Sequence, residues 1–380
     1  MSCLPAVIER IRHSGPITVA DYMRLALYHP EAGYYATAER RSGRAGDFFT
    51  SVDVGPEFGA LLGFQFAEMW RMLEPLPAAF DLVEAGAGNG RLARDILTWA
   101  EAEDREFYLA ARLHLVEIGA TAREAQRATL AHHGSKLVWS ACELPERVVG
   151  VVYANELLDS MPVHVVEMTA GGLCEVFVDA DGDRLVERRG PPSSPALAEY
   201  LADSGARLEP GWRAEVGLDA IAWVGAAARA LDRGFVLLID YGHLASELHS
   251  DLHAGGTLRA ISRHVVVGGR GPSARPPWLE APGERDLTVH VNLTSIRAGA
   301  ERAGLATVGM MDQSYFLLGL GLAERLAAPT GRPDEDHRRR MALKSLVLPG
   351  GPGSAHKVLV FAKGVGRPAL GALSRGGRVT

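Results

Sequence analysis

The spacing of apolar and polar residues changes period several times along the chain, and each change predicts an element. Thr18-Val19-Ala20-Asp21 has the form of a capping box and opens a helix carrying Tyr22, Leu25 and Ala26, which Pro30 and Gly33 end. A loop rich in Gly, Arg and Ser follows from Tyr34 to Ser51, with aromatics at both ends. From Glu57 to Leu73 apolar side chains return at helical spacing, at Phe58, Leu61, Leu62, Phe66, Met69 and Trp70, until Pro75 and Pro77 close the segment. Strand-like and helical runs then alternate. Phe80 to Glu84 reads as a strand, Leu92, Ile96, Leu97 and Ala100 mark a helix, and Leu113 to Val116 is a second strand ending at Glu117. Ala122 to Leu130 is helical, Leu137 to Trp139 is a short strand, and Val148 to Ala154 is an apolar strand ending at Asn155-Glu156. This alternation predicts an α/β fold with a parallel sheet covered on both faces.

The middle of the chain changes character. His164 to Glu167 and Cys174 to Val178 flank polar turns such as Asp181-Gly182-Asp183, a pattern that predicts an antiparallel hairpin. Val216 to Leu231 is helical by pattern, and Gly234 fits its C-cap. Phe235 to Asp240, FVLLID, is the strongest buried strand of the sequence, Gly268 to Pro282 is a Gly/Pro/Arg loop, and Lys357 to Ala362 is the last strand. These patterns divide the chain into an N-terminal helical extension with a loop (1–77), the first half of an α/β core (78–164), an inserted hairpin segment (165–212), the second half of the core (213–364) and a tail expected to be disordered (365–380).

Bulk composition narrows the function classes. With 380 residues, 47% of them hydrophobic, one elaborated domain or two domains are expected. The 40 basic and 46 acidic residues leave a net charge of −6, which gives no general drive toward nucleic acid or an anionic membrane. The longest apolar runs are far too short to span a bilayer, and the charged N-terminus does not read as a secretory signal. Cys3, Cys142 and Cys174 are scattered, without a CxxC pair, so neither a metal site nor a disulfide framework is expected and a cytoplasmic location is. His132-His133 reads as solvent-facing. HExxH, GxSxG and the Gly-Lys-Ser/Thr phosphate loop are all absent, and GGPGSAHK breaks the last of these at Ala355-His356.

The candidate chemistry gathers behind the predicted strands. LVEAGAGNGRL places Gly86, Gly88 and Gly90 at alternate positions directly after Glu84. Strand, glycine bend and helix together form an arrangement for nucleotide-like ligands, because glycines admit close backbone approach and the helix start presents N–H groups. The dinucleotide fingerprint requires its third glycine one position later, where Arg91 stands. A carboxylate at Glu84 suits a ligand with ammonium and sulfonium charges better than a diphosphate, so S-adenosylmethionine is favoured over NAD. Glu117, ending the second strand, suits both hydroxyls of a ribose. Asn155, Glu156 and Asp159 follow a third strand. Asp240, Tyr241 and His243 follow a fourth, at the edge where α/β sheets bind ligands. Carboxylates there can orient a nitrogen for methyl transfer, while Asn155 and Asp159 are equally suited to helix capping.

YHPEAGYY, GDFFTS, LVEAGAGNGRLARDIL, LHLVEIG, ANELLDSMPVH, LIDYGH and GERDLTVHVNLT occur in the order found in MidA-type proteins, and the chain resembles that family from Leu4 to Lys363. The family comprises class I S-adenosylmethionine-dependent methyltransferases, among them the mitochondrial factor that methylates an arginine of a complex I subunit. The resemblance implies a Rossmann-like seven-stranded sheet with an N-terminal extension and an inserted segment. It implies cofactor contacts at Glu84, Gly86, Gly88, Gly90 and Glu117, a cover formed by Gly46, Asp47, Phe48 and Thr50, and Asn155-Glu156 facing the transferred methyl. Two positions depart from the family: Val52-Asp53 replaces Pro-Glu, and Asn292 replaces a carboxylate. Asp53, Glu156, Asp159 and Asp240 suit a guanidinium guest, so a protein-arginine methyltransferase is the expected function. A respiratory-complex subunit is one candidate acceptor, and a homodimer one candidate assembly. A small-molecule methyltransferase and a non-catalytic cofactor-binding assembly factor are the alternatives.

Overall fold

The structure is a computed structural model that describes residues 2–37, 50–262, 265–267, 276–327, 333–347 and 356–375. Residue contacts group the chain into two units, neither of them continuous in sequence.

One unit comprises 49–157, 224–240 and 300–380. Its strands are β1 (Phe80–Ala85), β2 (Ala111–Val116), β3 (Leu137–Ala141), β4 (Val148–Asn155), β5 (Leu231–His243, within this unit as far as Asp240), β6 (Ala306–Asp312) and β7 (His356–Lys363). They follow one another in the order β3-β2-β1-β4-β5-β7-β6, the expected seven strands, and an eighth short strand, Val291–Asn292, pairs with Gly242–His243 of β5. The pairs β1–β2, β1–β4, β2–β3 and β4–β5 are parallel, and β6–β7 is antiparallel. All six residues of β1 are buried, which explains why the central strands read as unbroken apolar runs.

Two helices, α1 (Pro56–Arg71) and α2 (Arg91–Glu103), pack together in this unit. A Cβ at Gly59 would lie 2.6 Å from the Asp95 Cβ, and one at Gly63 would lie 2.5 Å from a Trp99 ring carbon. These two glycines therefore set how closely the helices approach. On the inner face of α1, Phe66 packs against Tyr153 of β4, with ring centroids 4.8 Å apart. Phe58, Leu61, Leu62 and Phe66 are fully buried, each contributing roughly 1.5–3 kcal/mol through the apolar surface it removes from water.

Gly234 is not the helix cap expected from the sequence: it lies inside β5, and a Cβ there would sit 1.9 Å from the Gly150 carbonyl oxygen of β4. Close strand approach, not helix termination, requires glycine at this position. The tail beyond Gly364 is ordered as far as Arg375, with a short helix at Gly371–Arg375, buried Leu370 and Ala372, and the Gly371 N–H donating to Glu68. Leu370 and Ala372 join the main apolar core, an attachment that loop-like composition does not register. His133 is buried and bonded to Tyr108 and Thr98, so only His132 of that pair faces solvent.

The other unit comprises 1–48, 158–223 and 241–299. The predicted hairpin is present as His164–Thr169, Gly172–Asp181 and Arg184–Gly190, all antiparallel. Ile17–Thr18 and Arg213–Val216 extend the same sheet, so the N-terminal extension and the inserted segment form one unit rather than two. A linear division of the sequence cannot register that pairing. Thr18 caps the helix Val19–Tyr28 as its sequence predicts, by accepting the Asp21 N–H at 3.0 Å. A second sheet pairs Arg259–Ser262 with Val265–Val267 and Asp286–Thr288. Tyr22, Met23, Leu27, Val176 and Val178 lie in this unit's own core. No helix among the described residues is long and apolar enough to cross a membrane.

Candidate functional site

The three glycines behind β1 are all left-handed, with φ of 70° at Gly86, 52° at Gly88 and 82° at Gly90. Each such residue costs an L side chain roughly 1–2 kcal/mol, so this bend selects glycine for its backbone shape. Their surroundings differ. A Cβ on Gly86 would meet Leu157 at 3.1 Å and one on Gly90 would meet Leu115 at 3.3 Å, whereas one on Gly88 would meet nothing within 4 Å among the described residues. Gly88 thus borders open space. The Gly86 and Ala87 N–H groups bond the Val116 carbonyl at 2.9 and 3.1 Å, which ties the bend to the end of β2.

Glu117 completes that tie. Its Oε2 accepts the Gly88 N–H at 2.8 Å and its Oε1 accepts the Gly119 N–H at 2.6 Å. Gln126 donates to the Gly88 carbonyl at 2.8 Å and accepts from Ser140. Glu117 and Gln126 thus hold the two peptide groups on either side of the Gly88 Cα. Gln126 was absent from the residues singled out by sequence, and a buried polar residue in the helix Ala120–Thr129 was the only available signal.

Glu84 lies beneath the bend, 5% exposed, and accepts the Tyr153 hydroxyl at 3.1 Å. Burial pushes its carboxyl up to about 8, with the Tyr153 and Ala93 bonds opposing and the Glu117 and Asp95 charges adding. Glu84 is therefore not the standing negative charge expected from the sequence. Near neutral pH Glu84 is largely protonated in the ligand-free protein, because desolvation outweighs its hydrogen bonds.

At the carboxyl ends of β4 and β5 stand Asn155, Glu156 and Asp240. Glu156 is left-handed (φ 53°), a rare state for a non-glycine residue, and its N–H bonds the Ile239 carbonyl at 2.8 Å. Its Oε1 accepts the Asn155 side-chain N–H at 3.1 Å and lies 3.3 Å from Nε2 of His356, the first residue of β7. Asp240, 2% exposed, accepts the Leu157 N–H at 3.1 Å and so fixes the turn after Glu156. Asn155 Oδ1 is buried without a hydrogen-bond partner among the described residues. His356 was missed in the sequence, where it appeared only as a break in a glycine-lysine pattern.

The remaining candidates are placed elsewhere. Asp53 is occupied structurally: Oδ2 accepts from the Thr50 N–H and hydroxyl, both at 3.1 Å, in a capping box, and Oδ1 pairs with Arg91 at 2.9 Å. Asp159 and His243 belong to the other unit. Asp159 Oδ2 accepts the Thr288 hydroxyl at 2.8 Å, and its carbonyl accepts the Val289 N–H. His243 sits among His253 and His290. Gly46, Asp47 and Phe48 lie outside the described residues.

The residues fit a small cationic nucleoside: an open left-handed bend at Gly88, a carboxylate clamped at the end of β2, and the unpartnered Asn155 Oδ1 at the sheet edge. Comparison with known proteins agrees. Residues 61–311 match a family model for S-adenosyl-L-methionine-dependent methyltransferases. The protein arginine methyltransferase NDUFAF7 homolog of Drosophila melanogaster is 30% identical, covering 94% of this chain and 84% of that protein. Its Homo sapiens counterpart, named as mitochondrial, is 31% identical over 89% and 77%. A crystal structure of a Burkholderia thailandensis protein bound to S-adenosyl-homocysteine superposes with a TM-score of 0.88, at 29% identity, covering 99% of this chain and 95% of that one. The bend, its carboxylates and the seven-stranded sheet thus sit in a chain that belongs to the family of S-adenosyl-L-methionine-dependent methyltransferases.

Proposed function

We propose that this methyltransferase transfers its methyl group to a guanidino nitrogen of an arginine in a partner protein. The observation that carries the reading is Glu156, a carboxylate at the ligand edge of the sheet, held in a left-handed backbone between Asn155 and His356. The names of the Drosophila and human relatives, both protein arginine methyltransferases, support the same acceptor.

When bound, the cofactor supplies an electrophilic methyl on a sulfonium. Gly86, Gly88, Glu117 and Asn155 would hold it, and the other residues of the site would act on the acceptor. Glu156 accepts an N–H of the incoming guanidinium, orients the nitrogen lone pair and receives the proton released as the new N–C bond forms and the sulfur–methyl bond breaks, its electron pair remaining on sulfur as a neutral thioether. Asp240 keeps the Glu156–Leu157 turn in place through the Leu157 N–H. His356 and Asn155 restrict the Glu156 rotamer.

We infer a cytoplasmic location from the three free cysteines. A respiratory-complex subunit is the first acceptor to test, and a homodimer the first assembly. The purified chain is incubated with methyl-labelled cofactor and cell extract, and the products are separated by size and analysed by mass spectrometry. A protein band carrying methylarginine supports the reading. Label confined to a small molecule, or on lysine alone, refutes it.

A further inference from the structure

The unit built from 1–48, 158–223 and 241–299 carries a cluster that the methyl-transfer chemistry does not use. His243 ends β5, His253 closes the turn Asp251–His253, and His290 precedes the two-residue strand Val291–Asn292. That strand pairs with Gly242–His243 in parallel, which brings His290 beside His243. The ring centroids lie 5.1 Å (His243–His290), 5.5 Å (His243–His253) and 5.7 Å (His253–His290) apart. One ring nitrogen of each lies within 4.8 Å of the other two.

The rings are also oriented. His243 Nδ1 faces the Glu247 carboxylate at 3.3 Å, and His253 Nδ1 faces the Glu247 backbone carbonyl at 2.9 Å. With Nδ1–H donating to an oxygen, the lone pair of each imidazole resides on Nε2. An oxygen partner on the far nitrogen is what metal-ligating histidines regularly have, because it fixes tautomer and ring direction. His290 is held from its backbone, its N–H donating to Thr257 Oγ1 at 3.1 Å, and Tyr241 stacks on its ring. Its Nδ1 is buried without a hydrogen-bond partner among the described residues. All three side chains remain half-buried and reachable.

We propose that His243, His253 and His290 form a binding site for one divalent transition-metal ion, zinc foremost, with a fourth position open to water or a ligand. Three imidazole nitrogens select zinc-class ions over magnesium and calcium, which require oxygen donors. Nitrogens about 2.0–2.1 Å from a tetrahedral centre stand roughly 3.3 Å apart, so the cluster closes by about 1 Å or less at each ring on binding. Three protein ligands with a fourth place open is the coordination pattern of zinc sites that activate a bound molecule. Cysteine spacing carries no trace of such a site, because its donors come from three separate segments.

The test uses the full chain, without an affinity tag and stripped with a chelator. Zinc chloride is titrated by calorimetry, and cobalt(II) is added to read the visible bands of a tetrahedral nitrogen-rich site. One zinc per chain at micromolar affinity or tighter is expected, with a rise in Tm. His253→Ala and His290→Ala each weaken binding at least tenfold, while His132→Ala in the other histidine cluster leaves it unchanged. If either alanine variant fails to fold by circular dichroism, His253→Gln decides, and loss of the zinc-dependent Tm rise supports the site. Absence of stoichiometric uptake by the wild type, or equal uptake by the folded His253 and His290 variants, overturns it.

Discussion

His356 Nε2 lies 3.3 Å from Glu156 Oε1, with His356 1% exposed and Glu156 in a left-handed backbone conformation. The C-terminal strand thus delivers a buried imidazole to a carboxylate two hundred residues earlier, at the point where two parallel strands end. A glutamate bonded by Asn155 on one side and approached by His356 on the other has restricted rotamers, and orientation of this kind accounts for much of the barrier reduction in a displacement reaction.

Glu156→Gln is therefore expected to bind cofactor as the wild type does while kcat falls by about 10²-fold, the typical scale for losing one positioned proton acceptor. Isothermal titration with S-adenosylmethionine and single-turnover transfer separate the two quantities. Full activity in this variant removes Glu156 from the chemistry.

His356→Ala tests the positioning role. Its kcat is expected to fall about tenfold with cofactor affinity unchanged, and His356→Asn is expected to recover part of the loss. An equal loss of kcat and cofactor affinity, or none, argues that His356 serves only the fold.

Gly88→Val strains a φ of 52° by roughly 1–2 kcal/mol and fills the open space beside the bend. A folded variant with cofactor affinity lowered at least 100-fold is expected. Wild-type affinity in a titration sinks the placement of the cofactor at this bend.

Glu84 titrates far from its usual range, and the sign of its effect on stability is fixed. Burial raises the folded carboxyl from 4.5 to about 8, so between these values the native state binds a proton that the unfolded chain has released. Stability is then greatest below pH 4.5 as far as this group is concerned and falls as pH rises toward 8, by on the order of 1 kcal/mol per pH unit. Urea denaturation of the ligand-free protein at several pH values is expected to show that slope flattened in Glu84→Gln. Identical slopes in both proteins contradict the assignment.

Asp53 was expected to act in catalysis, yet its oxygens serve the Thr50 capping box and Arg91. Asp53→Ala removes both contacts and is expected to cost about 1–3 kcal/mol, read as a Tm lowered by several degrees, with kcat at saturating cofactor within a few-fold of wild type. Unchanged Tm with collapsed kcat restores Asp53 to the active residues.

The sequence by itself determined the periodic elements and the glycine bend. Alternating apolar runs mark parallel strands because both faces of such a sheet are covered, and Gly86, Gly88 and Gly90 are legible because a left-handed backbone selects glycine locally. Glu84 and Glu117 were legible for the same reason, since a strand end fixes its own neighbours. What only the tertiary structure decided is everything that joins distant segments: Ile17–Thr18 on the inserted sheet, Gly234 against Gly150, His356 beside Glu156, and three histidines from three separate segments at one point. Protonation also belongs to that level. The charge of Glu84 depends on how completely the fold removes it from water, and no run of neighbouring residues contains that information.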